Sequence, residues 1–235
     1  LEMESKIIPI IKNINLVIDC TSAESHLVHH KILSKLNLPV IDLTPSGIGT
    51  KIIPTVNIND CINCKNVNLI SCGGQSSIPI LYAWCSLLSK QKVKVNYVEI
   101  ASTISTKSAG MATRKNIDSY IKNTEAAINE FCNCNSKVIL NINPAEPPIT
   151  MKTSFSLLIE DKEINYSDLI KITMDSEKAI QKYVPGFKII VEPKLIERTR
   201  LFSSAEIKGR GDYLPSYSGN LDIITSAAIE IAKII

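Results

Sequence analysis

Cys72, within the stretch VNLISCGGQSSIPI at residues 67–80, has neighbours of the types that make a cysteine reactive. Residues 67–71 are short and rich in apolar side chains, which predicts a strand. Gly73 and Gly74 follow, and two adjacent glycines let a backbone turn sharply and leave room for another group to approach. Pro79 opens the run IPILYAWCSLLSK at a position where proline suits a helix start. The pattern therefore predicts Cys72 at a strand–turn–helix corner, just before a helix N-terminus. Free N–H groups and positive partial charge at that end would stabilise a thiolate, lower its pKa and make it a nucleophile. The same N–H groups would serve an oxyanion. A cysteine simply buried in a glycine turn would leave the same local signature.

The other chemistry-bearing residues are weaker candidates. Cys61-Ile62-Asn63-Cys64 has redox or zinc-ligand spacing, but Cys132-Asn133-Cys134 has the wrong spacing for a second half-site, so exposed loop cysteines and no metal are expected. His26, His29 and His30 share one helical face at i, i+3 and i+4, and without a carboxylate cluster nearby in sequence they predict a solvated face. No histidine lies near Cys72 in sequence. Cys20 and Cys85 fit a core, and Arg210-Gly211-Asp212 fits a turn.

These residues must be held by a chain of 235 residues, enough for one large domain or two modest ones. A net charge of +3 is too small to argue for nucleic acid, and no Lys/Arg block stands out. The longest apolar candidate, IIPIIKNINLVI, is interrupted by Pro9, Lys12 and Asn13 and is too short for a membrane span. Glu2 and Glu4 do not fit a signal peptide. Seven cysteines make an odd set for a disulfide framework and point to a reduced, cytoplasmic setting.

Near-continuous apolar runs at INLVIDC and PVIDL, with a helix at residues 23–36 between them, predict a βαβ unit, and residues 67–71 add a third strand. This is half of a doubly wound nucleotide-binding sheet. A Gly-x-Gly-x-x-Gly turn is absent from the 235 residues; Gly47-Ile48-Gly49 has no helix immediately after it. From Lys92 onward the pattern alternates. Strands are expected at VKVNYVEIA and at residues 137–142, 154–159, 187–191 and 199–207, with a Ser/Thr/Gly-rich connection at 102–112. Helices are expected at residues 113–131, 166–183 and 220–235. The fold class is α/β: a partial Rossmann-type nucleotide-binding domain (1–72 plus 220–235) and an α+β catalytic and dimerisation domain (73–219) with a mostly antiparallel sheet.

The segments IDCTSAESHLVHH, VIDLTPSGIG, VNLISCGGQSSIP, YVEIASTISTKSAGMATRKNID, NINPAEPPITMK, YVPGF and YLPSYSGNLDIITSAA resemble, in the same order, those of the acylating acetaldehyde dehydrogenases. These are the enzymes that partner a 4-hydroxy-2-oxovalerate aldolase in aromatic catabolism. The resemblance implies that Cys72 attacks the carbonyl of a small aldehyde (acetaldehyde or propanal), that NAD accepts the hydride, and that coenzyme A takes the acyl group from the resulting thioester. It implies cofactor contacts at Ser108, Ala109, Gly110, Met111, Ala112, Thr113, Arg114, Lys115, Asn116 and Asn220. It also implies a homodimer. Without the resemblance, the 108–116 loop fits a capped helix start and Asn220 a helix N-cap. The family begins with a Gly-x-Gly-Asn-Ile-Gly unit, and the resemblance here starts after that region, which implies a weakened hold on the NAD pyrophosphate. Thr153 stands where the family carries an acidic residue, and Ala112 where it carries a loop glycine. A shortened homologue that keeps dimer or aldolase contacts without turnover is the alternative. A semialdehyde dehydrogenase, which places a histidine base at its site, is a third reading.

Overall fold

The computed structural model describes residues 13–36 and 38–235, except for the side chain of Ala112. Glu2, Glu4, Pro9, Lys12 and the start of the apolar run that contains the last two lie outside the described residues.

The first layer is a parallel sheet. Strands β1 (Val17–Asp19), β2 (Val40–Asp42), β3 (Thr50–Lys51) and β4 (Asn66–Asn68) lie in the order β1-β2-β4-β3. Helix α1 (Ala23–Leu33) crosses between the first two strands, and the Ser22 hydroxyl caps it by accepting from the Ser25 amide at 3.1 Å. Gly49 has φ +94°, and a Cβ there would lie 2.3 Å from the Asn66 carbonyl oxygen, so only glycine lets these two strands approach. The short helix α2 (Pro54–Asn57) then leads back toward β4.

Helix α3 (Cys72–Lys90) leaves this sheet and runs into the second layer. That layer is built from β5 (Val95–Ser105), β6 (Asn135–Asn143), β7 (Met151–Ile159), β8 (Phe187–Ile196) and β9 (Arg200–Ile207), ordered β6-β5-β7-β9-β8. Only the β5–β6 pair is parallel. Helices α4 (Met111–Lys115), α5 (Ile117–Cys132) and α6 (Tyr166–Gln181) complete it, and α7 (Gly219–Ala232) closes the chain against α3. One hydrophobic core runs through both layers, from Ile41 and Val67 to Phe155 and Leu201. Trp84 of α3 anchors it: its ring meets Phe155 edge-on at 5.5 Å, and its Nε1 donates to Thr173 Oγ1 of α6 at 2.7 Å.

Several expected boundaries move, each for a visible reason. Helix α3 begins seven residues before Pro79, which lies inside it. Gly73 to Leu81 are all buried in it, and that burial outweighs the poor helix propensity of glycine and proline. Strand β5 continues to Ser105 because β6 and β7 satisfy its backbone on both sides, so Ser102 and Ile104 fill buried strand positions rather than a connection. The single helix expected at 113–131 is two, α4 and α5, joined at Asn116. Edge strand β8 passes through Pro193 at a break in its pairing with β9, where a missing N–H does no harm.

Candidate functional site

The corner that carries Cys72 is made by a residue other than the expected glycines. Ile70 has φ +67°, a left-handed conformation that a β-branched side chain rarely adopts. Its neighbours hold it there. The Ile70 amide donates to Asn68 Oδ1 at 2.9 Å, and Asn123 Nδ2 donates to the Ile70 carbonyl at 3.0 Å. Gln75 Nε2 donates to the carbonyls of Leu69 and Ile52. Gly73 and Gly74 are helical and serve close approach. A Cβ on Gly73 would lie 2.0 Å from the Tyr120 hydroxyl, and one on Gly74 would lie 2.8 Å from the Ile70 side chain.

Cys72 is the first residue of α3. Ser71 is the N-cap, its hydroxyl accepting from the Gly74 amide at 2.9 Å. The sulfur therefore sits beside a helix N-terminus, as the sequence predicts, although the helix begins earlier. The expectation of a lowered thiol pKa is not met. Burial pushes the Cys72 thiol up to about 11, against the opposing pull of the Gly73 amide, the Tyr120 hydroxyl and its own amide. Desolvation outweighs the helix end, and the resting group is a neutral thiol. Burial likewise pushes the Tyr120 phenol well above its ordinary value.

Cys72 lines a cavity of about 250 Å³ between the two layers, together with Ser71, Thr44, Tyr120, Leu221 and Ile224. Of the residues expected to contact a cofactor, Thr113, Asn116 and Asn220 line it as well. Ser108 and Ala109 are buried behind it, and the Ser108 carbonyl accepts from Asn220 Nδ2 at 3.1 Å. Asn220 is the second residue of α7 rather than its cap, which is Ser218. Its Oδ1 is buried and has no hydrogen-bond partner among the described residues. Gly110 and Lys115 are exposed and Met111 is 73% exposed; none of them lines the cavity. Arg114 folds back onto the Ala109 and Thr106 carbonyls at 3.3 and 3.4 Å. Ala112 lies in α4. Tyr120 is the site residue that sequence reasoning missed, because its helical spacing with Ile117, Ile121 and Ile128 fits a core position. A larger surface trough of about 710 Å³, lined by Lys162, Tyr166, Lys194 and Arg198, contains none of the expected site residues.

The histidines differ from the solvated face expected of them. His26 is fully buried between two carboxylates: Nδ1 is 2.9 Å from Asp19 Oδ2, and Nε2 is 3.5 Å from Asp42 Oδ2. His29 Nδ1 also meets Asp19 Oδ2 at 2.9 Å. Asp19 and Asp42 end adjacent parallel strands, so the fold assembles a carboxylate pair that is 23 residues apart in sequence and that local spacing cannot reveal. Cys20 is exposed rather than core, and Cys61 is buried rather than looped out. Among the described residues, no group of three His, Cys, Asp or Glu side chains is placed to hold a metal. Among them, no helix is long and apolar enough to cross a membrane.

The two packed layers, one a parallel sheet and one a mixed sheet, make a fold shared with solved aspartate semialdehyde dehydrogenases. The aspartate semialdehyde dehydrogenase II of Vibrio cholerae, solved as a complex with ASA, superposes with a TM-score of 0.63 at 12% identity, covering 94% of this chain and 77% of that one. The Candida albicans enzyme with NADP gives 0.62 at 9% identity, covering 94% and 78%. At such identities the likeness is one of fold. The family model for prokaryotic acetaldehyde dehydrogenase, dimerisation, matches residues 72–215. Acetaldehyde dehydrogenases of Geobacillus stearothermophilus and Burkholderia pseudomallei (strain K96243) are 40% and 41% identical, each over 93% of this chain and over 73% and 72% of their own lengths. That of Spirochaeta aurantia is 41% identical, over 94% and 73%. The chain belongs to the acetaldehyde dehydrogenase family and is an aldehyde oxidoreductase.

Proposed function

We propose that the protein oxidises acetaldehyde, or propanal, to the acyl-CoA through a thioester on Cys72, with NAD as hydride acceptor. The observation that carries this is the meeting of Cys72, Thr113, Asn116 and Asn220 around one cavity. The unpartnered, buried Asn220 Oδ1 is an acceptor suited to a carboxamide N–H, which fits the nicotinamide end of the cofactor. NAD, when bound, supplies the hydride sink. The Cys72 sulfur bonds to the aldehyde carbon, and its proton passes by way of solvent to the carbonyl oxygen, giving a neutral thiohemiacetal whose O–H proton returns to solvent when the carbonyl re-forms. Cys72 is the first residue of α3, so the N–H groups of that helix end would be the donors for the oxygen of that adduct. The carbonyl re-forms as hydride leaves, and the thiol of coenzyme A then takes the acyl group and frees Cys72. Thr153, at the position of the family's acidic residue, cannot accept the proton; its Oγ1 is bonded to Ser76 and Ser102 at 2.9 and 3.1 Å.

A second copy is proposed to dock on the outer face of the five-stranded sheet, where Ile139, Leu158 and Ile190 are exposed, in keeping with the dimerisation family that the segment matches. All seven cysteines are free, which suits a reducing cytoplasm. Pairing with the aldolase that supplies the aldehyde rests on the sequence resemblance. The reading is tested by mixing protein, NAD and acetaldehyde without coenzyme A. A burst of NADH stoichiometric with protein, and an acetyl group on the Cys72 peptide released by coenzyme A, is expected. An unmodified Cys72 overturns it.

A further inference from the structure

Tyr120 enters the site on the first turn of α5, directly beside the nucleophile. It is only 6% exposed, and its hydroxyl is sealed from solvent. Gly73 is open on that side to admit it, since a Cβ there would lie 2.0 Å from the phenol oxygen and 2.8 Å from Ser102 Oγ. The hydroxyl has no hydrogen bond of good geometry among the described residues, although Cys72, Ser71 and Ser102 surround it. A buried donor without a settled partner is rare and points to a neighbour that becomes a strong acceptor only when its charge changes.

The proton inventory shows what kind of group that is. Ser76 Oγ spends its proton on the Gly73 carbonyl at 2.9 Å, so Thr153 must donate to Ser76, and Ser102 in turn to Thr153. On the other side, Thr124 Oγ1 spends its proton on the Tyr120 carbonyl at 2.6 Å, so Ser71 donates to Thr124 at 2.7 Å. Ser71 and Ser102 therefore have only lone pairs left to offer the phenol. The hydroxyl chain ends at a backbone carbonyl, which cannot take a proton, so it cannot carry one out of the site. Tyr120 is left with a single role, that of donor.

We propose that the Tyr120 hydroxyl is a catalytic hydrogen-bond donor to Cys72, engaged when the sulfur becomes a thiolate, and not the base that deprotonates it. This rests on the reading of Cys72 as nucleophile. The donor offsets part of the desolvation that keeps the resting thiol neutral, so ionisation is favoured at the moment of attack.

The test is the rate at which Cys72 alone is alkylated by iodoacetamide in the full chain, without aldehyde or cofactor, followed by mass spectrometry of its peptide between pH 7 and 10. Tyr120→Phe keeps the ring and removes the donor, and labelling at a given pH should fall about tenfold. Replacement of Tyr120 by 3-fluorotyrosine keeps the shape and strengthens the donor, and labelling should rise severalfold. Should Tyr120→Phe fail to fold by circular dichroism, the fluorinated protein decides. Labelling at the wild-type rate in the folded variants, or faster labelling in Tyr120→Phe, overturns the proposal. If these shifts occur but no acyl group is captured on Cys72, the donor stands and the dehydrogenase reading fails.

Discussion

Asn220 Nδ2 donates to the carbonyl of Ser108 at 3.1 Å, and this buried bond joins the closing helix to the loop that follows β5 across 112 residues of sequence. It fixes the amide so that Oδ1 is left without a partner. Replacement by alanine removes both the tie and the acceptor. Losing one hydrogen bond to a bound group and loosening its frame costs about 1–2 kcal/mol. Asn220→Ala is therefore expected to raise KM for NAD about tenfold with a smaller change in KM for acetaldehyde, measured by steady-state NADH formation.

The position of Cys72 at the first turn of α3 gives a prediction in two parts. Cys72→Ala should lower kcat by about a thousandfold or more, because the covalent step has no other nucleophile, while NAD affinity by calorimetry stays near wild type. In the wild-type protein the thiol is pushed up to about 11 by burial, so the reactive thiolate is the minor form at neutral pH. Its fraction grows as pH rises toward that value. Alkylation of Cys72 should therefore climb through pH 7–10 without a plateau, whereas a helix-activated thiolate would level off below pH 8.

Much of this arrangement is legible in the sequence because it is local. The βαβ unit follows from apolar runs, and a helix N-terminus near Cys72 follows from local pattern, but the turn before it is made by Ile70 at φ +67°, which composition does not flag. The sequence is silent where two distant segments supply one environment. Tyr120 has a helical core pattern, and only the bare Cα of Gly73 shows that its hydroxyl end enters the site. Asp19 and Asp42 close on His26 only once β1 and β2 pair. The thiol pKa fails for a related reason: a helix N-terminus can be inferred from spacing, but the burial that opposes it depends on the whole packed seam.

The Asp19–His26–His29 cluster predicts acid sensitivity. Burial alone would raise the Asp19 carboxyl, but hydrogen bonds from Thr21, His29 and His26 outweigh it and bring it down to about 2 from 3.8. A carboxylate with a depressed folded-state pKa adds stability above its unfolded value and loses it as pH falls through the folded one. The contribution is about 2 kcal/mol, present above pH 4 and lost toward pH 2. Asp19→Asn should be less stable than wild type by about that amount at pH 7, in urea titrations, and the gap should close by pH 2. A constant gap over that range would show that Asp19 contributes packing and not charge.

Trp84 carries the last prediction, and it concerns the rigidity that the site borrows from its helix. It is fully buried and the single tryptophan of the chain, so its emission reports the packing of α3 directly. Trp84→Phe keeps most of the volume against Phe155 but leaves Thr173 Oγ1 without its donor, since that hydroxyl already spends its own proton on the Leu169 carbonyl at 2.7 Å. A loss of about 1–3 kcal/mol is expected. Trp84→Ala empties the centre of the core and should cost about 3–5 kcal/mol. Because the same helix begins at Cys72, both variants should also slow turnover in the order of their instability, read by urea unfolding and NADH formation on the same preparations. If Trp84→Ala lost stability but kept full kcat, the Cys72 end of α3 would be held by Ser71, Gln75 and Asn123 alone, with no help from the far half of the helix.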